Sequence, residues 1–370
     1  MSASNPLEPR FYSYLADFYI EQNELEKARA MYDKILVIEP NNPVVNLALH
    51  DYYSGQGKME EAFEYLKKAF ENPDLDVITK ESILISFYKK ADIQAYHDNG
   101  YELAKIMIKV HPGAPEANSL YADYLVMNKK FKEAAEYYGK AAASEKGNYR
   151  TWEQLIKVDY ELSRYDSLEK HSAKAMEFFP SQPSVYFYNG LANIQLKKYS
   201  KAAQALKDGL EFVVDNKSQM LDFYSALGDA YNYTKEYEKS DKAYEDALKI
   251  DSDNTFVLNQ YSYFLSLRKE NLEKAEKLSK KSNELQPGNR KYMDTYGWIL
   301  FQEKKYAEAE EWLGNASRMG KDANILEHYG DVLYKLNKVN EAVKQWENAK
   351  AAGGSSEALL KKIKEKKLDG

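Results

Sequence analysis

The sequence predicts an all-α protein in which one helical hairpin is repeated from end to end. Three observations predict this fold class. Small residues recur at the same places with a period of about 34 residues, apolar residues between them follow the spacing of amphipathic helices, and short polar or proline-containing segments separate the periodic stretches. Such a chain buries a continuous strip of core rather than a ball, so the predicted architecture is a helical solenoid.

The hairpin is clearest at residues 221–254. Each half of this stretch places apolar and small side chains at i, i+3, i+4 and i+7, which is one face of a helix. Residues 234–236 form the turn between the halves, and residues 251–254 prefer turns and caps, which ends the second helix. The small residues would let two helices approach closely, with tyrosine rings beside them. The two faces consist of Tyr224, Leu227, Gly228 and Tyr231, and of Tyr237, Ser240, Tyr244 and Ala247.

Ten copies of this hairpin follow one another at residues 9–352. Small residues occupy the eighth and twentieth places of most copies, and in four copies a proline stands just after the second helix, where it ends that helix. The third copy and the connection at 214–220 are longer than the others, which predicts local irregularity. The copies start near Pro9, Pro43, Glu81, Pro115, Tyr149, Pro183, Leu221, Thr255, Arg290 and Ala323.

These in-register copies resemble the tetratricopeptide repeat (TPR) family over nearly the whole chain. The C-terminal half, at 261–289 and 325–346, is further similar to TPR proteins of Bacteroidota. The resemblance implies a right-handed α-α superhelix whose first helices line a concave groove and whose second helices form the convex back. It also implies a non-enzymatic scaffold that binds peptide or protein partners in the groove.

Two segments lie outside the ten copies. Residues 1–8 are a short N-terminal extension that cannot form a capping helix, although the first helix carries more large apolar side chains than one interface needs. This predicts either a longer native protein, with further repeats and an export signal upstream, or self-association through the N-terminal end. Residues 353–370 are expected to form a C-terminal capping helix, with a basic tail for acidic partners or anionic lipid as the alternative.

Composition and motifs argue against several functions. The 370 residues contain no cysteine and the five histidines lack metal-binding spacing, so we expect no metal, no cofactor and no enzymatic activity. Residues 1–180 hold 22 Lys and Arg against 29 Asp and Glu, which argues against a nucleic-acid partner. No apolar run is long enough for a transmembrane helix or a signal peptide. Localisation is left open between the cytoplasm and, with an export signal upstream, the periplasm or outer membrane.

The candidate binding residues are those predicted to point into the groove. They occupy the fifth and ninth places of the first helices, and five of nine ninth places are aspartate. One interpretation is a solvated polar surface in which aromatic residues cover their neighbours. The other is a binding strip, acidic toward the N-terminus and aromatic around the eighth and ninth copies, for an extended basic or aromatic-bearing peptide. The candidates are Asp17, Asp51, Asp123, Glu153, Lys157, Asp229, Tyr263, Asp294, Trp298, Glu327 and Asp331.

Two further functions stay open at the sequence level. The chain is in one case a non-catalytic segment of a larger enzyme or of an envelope assembly or export machine. In the other, the groove aromatics recognise a glycan. A catalytic domain or lipoprotein signal in the neighbouring reading frame would favour the first, and a fluorescence change at Tyr263 or Trp298 on adding soluble glycans would favour the second.

Overall fold

The computed structural model describes residues 8–144 and 148–368. In these two ranges the chain forms α-helices joined by short connections and no β-strand, which confirms the all-α class. Apart from Glu8, the predicted extension at 1–8 lies outside the described residues. Contacts within the chain divide it into two units, Met1–Phe179 and Pro180–Gly370. The division falls between the fifth and sixth helical hairpins.

The first unit holds five consecutive hairpins, and the two helices of each hairpin pack against one another. Its helices are α1 (Pro9–Glu21), α2 (Leu25–Ile38), α3 (Pro43–Gly55), α4 (Met59–Glu71), α5 (Val77–Tyr88), α6 (Gln94–Val110), α7 (Pro115–Met127), α8 (Phe131–Ala142), α9 (Tyr149–Glu161) and α10 (Tyr165–Phe178).

The second unit holds five more hairpins and one additional helix. Its helices are α11 (Pro183–Gln195), α12 (Tyr199–Leu210), α13 (Lys217–Tyr233), α14 (Tyr237–Ile250), α15 (Thr255–Arg268), α16 (Leu272–Leu285), α17 (Arg290–Gln302), α18 (Tyr306–Arg318), α19 (Ala323–Lys335), α20 (Val339–Ala351) and α21 (Glu357–Glu365).

The first and second helices of a hairpin begin in different ways. Many first helices begin after a side-chain cap, as at Asn42, Asn148 and Asn254, where the amide oxygen accepts a hydrogen bond from a backbone N–H of the first turn. The second helices instead follow a tight turn that usually contains one residue with left-handed backbone, at φ between 53° and 65°. These turn residues are Asn23, Lys129, Ser163, Lys197, Lys235, Lys304 and Asn337.

The core is built by fitting a large side chain of the second helix against a small residue of the first. A Cβ added to Gly228 would lie 2.6 Å from the Tyr244 ring, and one added to Gly330 would lie 2.5 Å from the Trp346 indole. Tyr244 and Trp346 are fully buried. The predicted close approach at the eighth place therefore exists, and the ring that fills it stands sixteen residues later in the chain.

Two helices begin earlier than the predicted copies. The helix that contains Glu81 begins at Val77, and the helix that contains Leu221 begins at Lys217. In both, the residue before the helix is a side-chain cap, since Asp76 accepts from the backbone N–H of Thr79 and Asn216 from that of Gln219. In α13, which has 17 residues, the longer spacing adds an extra helical turn at the N-terminus. The α5 helix has 12 residues and gains no turn, and the added length of the third copy lies in α6, which has 17 residues.

The helix α21 covers the end of the second unit. Its N-cap Ser356 accepts from the backbone N–H of Leu359, whose side chain is fully buried, and Leu368 is also buried. Lys362 is nearly buried, because its ammonium reaches back to Glu327 and Asp331 of α19 at 2.8 Å each. α21 is thus fixed by an apolar contact and by an ion pair.

Candidate functional site

All eleven candidate residues lie on the first helix of a hairpin, and we call this surface the first-helix face. The structure does not bring them together into one site. Asp17 and Asp51 are exposed, Asp123 and Asp331 are buried, and the other seven are partly buried. The aspartates, which share the ninth place of their copies, therefore differ in their surroundings and in what they can bind.

Three of these aspartates hold the two helices of a hairpin together. Each accepts a hydrogen bond from an aromatic side chain of the second helix, fifteen residues later. The donors are the Tyr138 hydroxyl to Asp123, the Tyr244 hydroxyl to Asp229 and the Trp346 indole Nε1–H, at 2.9 Å, to Asp331. This contact fixes both the ring and the carboxylate, which is a structural role.

The same three carboxylates also receive a donor from the helix that follows in the stack. Arg150 Nη2 lies 2.8 Å from Asp123, Gln260 Nε2 lies 3.4 Å from Asp229, and Lys362 Nζ lies 2.8 Å from Asp331. Burial raises the pKa of each carboxyl, to about 6 for Asp229, and the hydrogen bonds or cations oppose this rise. These three carboxylates are therefore already bound by donors of the same chain and are not free to bind a partner.

Asp17 and Asp51 have no such donors. Neither carboxylate has a hydrogen bond or ion pair within residues 8–144 and 148–368. Both influence Tyr32, a buried tyrosine of α2, whose hydroxyl pKa is raised first by burial and then by these two negative charges. The N-terminal hairpins therefore present two carboxylates that are solvated and unneutralised.

An aromatic and acidic cluster lies on α15, α17 and α19 of the second unit. Asp294 Oδ1 lies 2.9 Å from His328 Nδ1, and the Trp298 ring stacks on the imidazole with centroids 4.1 Å apart. Burial lowers the pKa of His328, but the Asp294 carboxylate outweighs it and the net shift is upward. Tyr263, whose pKa is raised by burial and then by Asp294, completes the cluster.

His328 was not among the predicted groove residues. It stands one place after the candidate Glu327, and its partner Asp294 stands 34 residues earlier, which is one repeat. The repeat spacing was the signal that could have found this pair. On α9, the candidates Glu153 and Lys157 form an ion pair at 3.0 Å, so each neutralises the other.

Two clefts touch the first-helix face. In the first unit a cleft of about 380 Å³ lies between α5, α7 and α9 and is lined by Glu81, Glu116, Ser119, Asp123 and Arg150, among others. In the second unit a cleft of about 520 Å³ lies where α15, α17 and α19 end. Clefts of this size accommodate small molecules or short peptide segments.

The described residues contain neither a candidate metal-binding cluster nor a helix that could span a membrane. No group of three histidine, aspartate or glutamate side chains in that part of the chain is placed to hold a metal ion. None of the described helices combines the length and the apolar character that crossing a membrane requires.

Comparison with known proteins shows which repeat family two segments of the chain match. Family models described as tetratricopeptide repeat match residues 2–43 and residues 221–254. These two segments match the tetratricopeptide repeat. The second of these matches covers the stretch in which the hairpin pattern is clearest, and TPR proteins are generally scaffolds for protein–protein interaction that are typically non-catalytic.

Two curated relatives come from Pseudomonas aeruginosa. The Type IV pilus assembly protein PilF is 29% identical over 175 residues, which cover 47% of this chain and 68% of PilF. A TPR repeat-containing protein is 26% identical over 203 residues, which cover 54% of this chain and 34% of that relative. The chain thus matches about two thirds of one relative and about a third of the other.

Solved structures share the fold, one of them a tetratricopeptide repeat protein. A tetratricopeptide repeat protein from Parabacteroides merdae, of the Bacteroidota, superposes with a TM-score of 0.57 at 13% identity, covering 68% of this chain and 98% of that chain. The APC/C hetero-tetramer Cut9-Hcn1 gives 0.51 at 11% identity, covering 97% and 84%. At this identity the likeness concerns the fold alone, and it confirms the predicted TPR solenoid.

Proposed function

We propose that this TPR protein is a non-enzymatic scaffold whose first-helix face binds an extended peptide with basic side chains, and that Asp17 and Asp51 contact those side chains. One observation carries the proposal. At Asp123 and Asp331 the chain places its own cation on the ninth-place carboxylate, whereas at Asp17 and Asp51 that position is open.

The internal pairs indicate what an open carboxylate would accept. Arg150 and Lys362 each approach an aspartate to 2.8 Å, the distance of a charge-assisted hydrogen bond. A partner arginine or lysine would make the same contact with Asp17 or Asp51 from outside. The formal charge of the first 180 residues, 22 Lys and Arg against 29 Asp and Glu, would also attract a basic partner over longer distances.

The test measures binding of a capped arginine-rich pentapeptide by isothermal titration calorimetry. Asp17→Asn with Asp51→Asn should weaken binding by about fivefold at low salt, with a smaller loss at high salt, because exposed charge pairs are screened. Asp74→Asn with Asp92→Asn, two exposed aspartates in connections of the same unit, makes the same charge change elsewhere. Equal losses in both double variants would exclude a specific contact.

A second candidate function is a place in an envelope assembly machine. The similarity to PilF, which is named for type IV pilus assembly, favours this function over membership in a larger enzyme and over glycan recognition. We expect cross-linking in the native cell to capture envelope proteins with the first-helix face at the cross-link. Cross-links confined to soluble partners would exclude this function. Glycan recognition has less support, because a sugar ring stacks flat on the face of an aromatic ring, and His328 and Phe301 already stack on Trp298.

A further inference from the structure

Lysines of two kinds stand at or beside the turns between first and second helices in the last three hairpins. One kind is neutralised within the chain by a glutamate of the preceding second helix. Lys274 pairs with Glu245 at 2.6 Å, Lys305 with Glu276 at 3.0 Å and Lys338 with Glu310 at 2.5 Å. The regular pairing shows that acidic partners are available along this edge of the second unit.

The second kind of lysine has no such partner. Lys269, Lys304 and Lys335 are exposed, and their ammonium groups form no ion pair or hydrogen bond with any described residue. Lys269 caps the C-terminus of α15, Lys304 stands in the turn after α17, and Lys335 is the last residue of α19. Three consecutive repeats therefore each place an unneutralised ammonium group at the end of their first helix.

These three lysines line one cleft. The cleft, of about 520 Å³, also contains the aromatic rings of Trp298, Phe301 and Tyr306 and the apolar side chain of Leu267. Trp298 stacks on Phe301 with centroids 4.9 Å apart, and Phe301 lies 5.6 Å from Tyr306, so the rings form a continuous wall. The one carboxylate among the described lining residues, that of Asp331, is already bound by Lys362.

We propose that this cleft is a second binding site, distinct from the open aspartates of the first unit, and that it takes an acidic peptide segment carrying an aromatic or large apolar side chain. The three ammonium groups pair with carboxylates of the segment. The wall of rings covers its apolar side chain. The charge preference is thus opposite to that of Asp17 and Asp51.

The surroundings favour a short acidic peptide over nucleic acid. A phosphate backbone needs a long basic stripe, because each bound nucleotide brings another negative charge. The cleft has only three basic groups among its described lining residues, and the neighbouring Glu270 and Glu303 are acidic. The whole chain has a formal net charge of −6. A few carboxylates match three ammonium groups, while a polyanion would meet repulsion beyond them.

The test uses a capped pentapeptide of four glutamates around one phenylalanine. In ¹⁵N-labelled full chain, its addition should shift the indole signal of Trp298, assigned with Trp298→Phe, and leave that of Trp152 unmoved. The triple variant Lys269→Gln, Lys304→Gln and Lys335→Gln should bind about tenfold more weakly at low salt, since each exposed pair contributes a small screened attraction.

The matched control removes three lysines of equal charge from other turns. Lys129→Gln, Lys197→Gln and Lys235→Gln also change residues at first-helix ends, at φ of 57° to 63°, but outside the cleft. This variant should bind as the unaltered chain does. Equal losses in the two triple variants, or an unmoved Trp298 signal, would overturn the proposal. So would tighter binding of a single-stranded pentanucleotide or of the matching four-lysine peptide.

Discussion

At the residue scale, the ninth-place aspartates show that one residue type at one repeat position has two roles. Asp123, Asp229 and Asp331 tie a first helix to the aromatic ring of its second helix, while Asp17 and Asp51 remain solvated. The sequence predicted all five as binding residues. The distinction depends on Arg150, Gln260 and Lys362, each of which lies on the following helix, 27 to 31 residues after the aspartate that it contacts. The repeat pattern does not predict such contacts.

The close packing of Gly228 against Tyr244 makes even one added methyl group at position 228 destabilising. We expect Gly228→Ala to lower the free energy of unfolding by about 1–3 kcal/mol, because the added Cβ would lie 2.6 Å from a fully buried ring. Gly139, a helical glycine of α8 with open space around its Cβ position, is the control. Gly139→Ala should raise stability by about 0.5–1 kcal/mol through helix propensity. Urea unfolding measures the free energy of unfolding of both variants, and an equal change in Gly228→Ala and Gly139→Ala would contradict the packing argument.

Lys80 is a fully buried lysine whose ammonium is held by polar groups alone. Its Nζ lies 2.8 Å from the backbone oxygen of Asn72 and 2.7 Å from His111 Nε2, which must be neutral to accept. Burial lowers the pKa of Lys80 to about 8, and burial followed by the Lys80 charge lowers the pKa of His111. The folded chain therefore binds fewer protons at both groups than the unfolded chain does.

This pair predicts acid sensitivity of the first unit. Neutral His111 contributes fully to the free energy of unfolding above its ordinary pKa of 6.5, and this contribution is lost as the pH falls below that value. Lys80 adds a separate rise in the free energy of unfolding between about pH 8 and 10.5. We expect His111→Gln, which keeps an acceptor but does not titrate, to flatten the change between pH 7.5 and 5.5 in thermal unfolding. His97→Gln in the same unit should keep that change. A slope unaltered by His111→Gln would show that other groups cause it.

At the element scale, helix ends follow capping chemistry more closely than repeat spacing. The repeat register predicted starts at Glu81 and Leu221, whereas α5 and α13 begin four residues earlier, after Asp76 and Asn216. Both caps are visible in the sequence. A fixed hairpin length imposed on every copy hid them, because the extra turn of α13 precedes the repeated unit and the added length of the third copy lies in α6 instead of before α5.

The cap at Asn216 can be tested alone. Asn216→Ala should cost about 1 kcal/mol and increase hydrogen exchange in the first turn of α13, since the N–H of Gln219 loses its acceptor. Ser218→Ala, an exposed change in the same turn, should have little effect. Equal exchange in the two variants would mean that water replaces the cap without loss.

The helix α21 depends on an ion pair with little exposure. Lys362→Ala should lower stability by about 1–3 kcal/mol, because Asp331 would keep its burial and lose its cation. Lys364→Ala, an exposed lysine of the same helix, is the control. We would measure proteolysis at the C-terminal end together with denaturant unfolding, and equal susceptibility of both variants would show that the apolar contact of Leu359 is sufficient.

At the scale of the whole molecule, the period of the sequence was enough to predict the fold. The large side chains that fill the core follow from the same small-residue register, as Gly228 and Gly330 illustrate. The division between Phe179 and Pro180 was not predicted. The spacing from Tyr149 to Pro183 is 34 residues, the same as in regular copies, so the sequence pattern is uninterrupted where the division falls.

Because neighbouring repeats stabilise one another, destabilising one hairpin should also destabilise the hairpins beside it. In a stack whose stability comes from neighbouring hairpins, Gly228→Ala should reduce hydrogen-exchange protection in α12 and α15, which pack on α13 and α14, and not in α13 and α14 alone. Mass-spectrometric exchange resolves these helices. Loss confined to the substituted hairpin would mean that each hairpin of this unit is stable independently.

The bond from Trp346 to Asp331 also gives the chain an optical reporter. The indole is fully buried and its N–H is held by a carboxylate, so its emission should be blue-shifted and inaccessible to acrylamide or iodide while the last hairpin is closed. In a variant whose other three tryptophans are changed to Phe, quenching of this fluorophore would time the opening of the last hairpin without any added label.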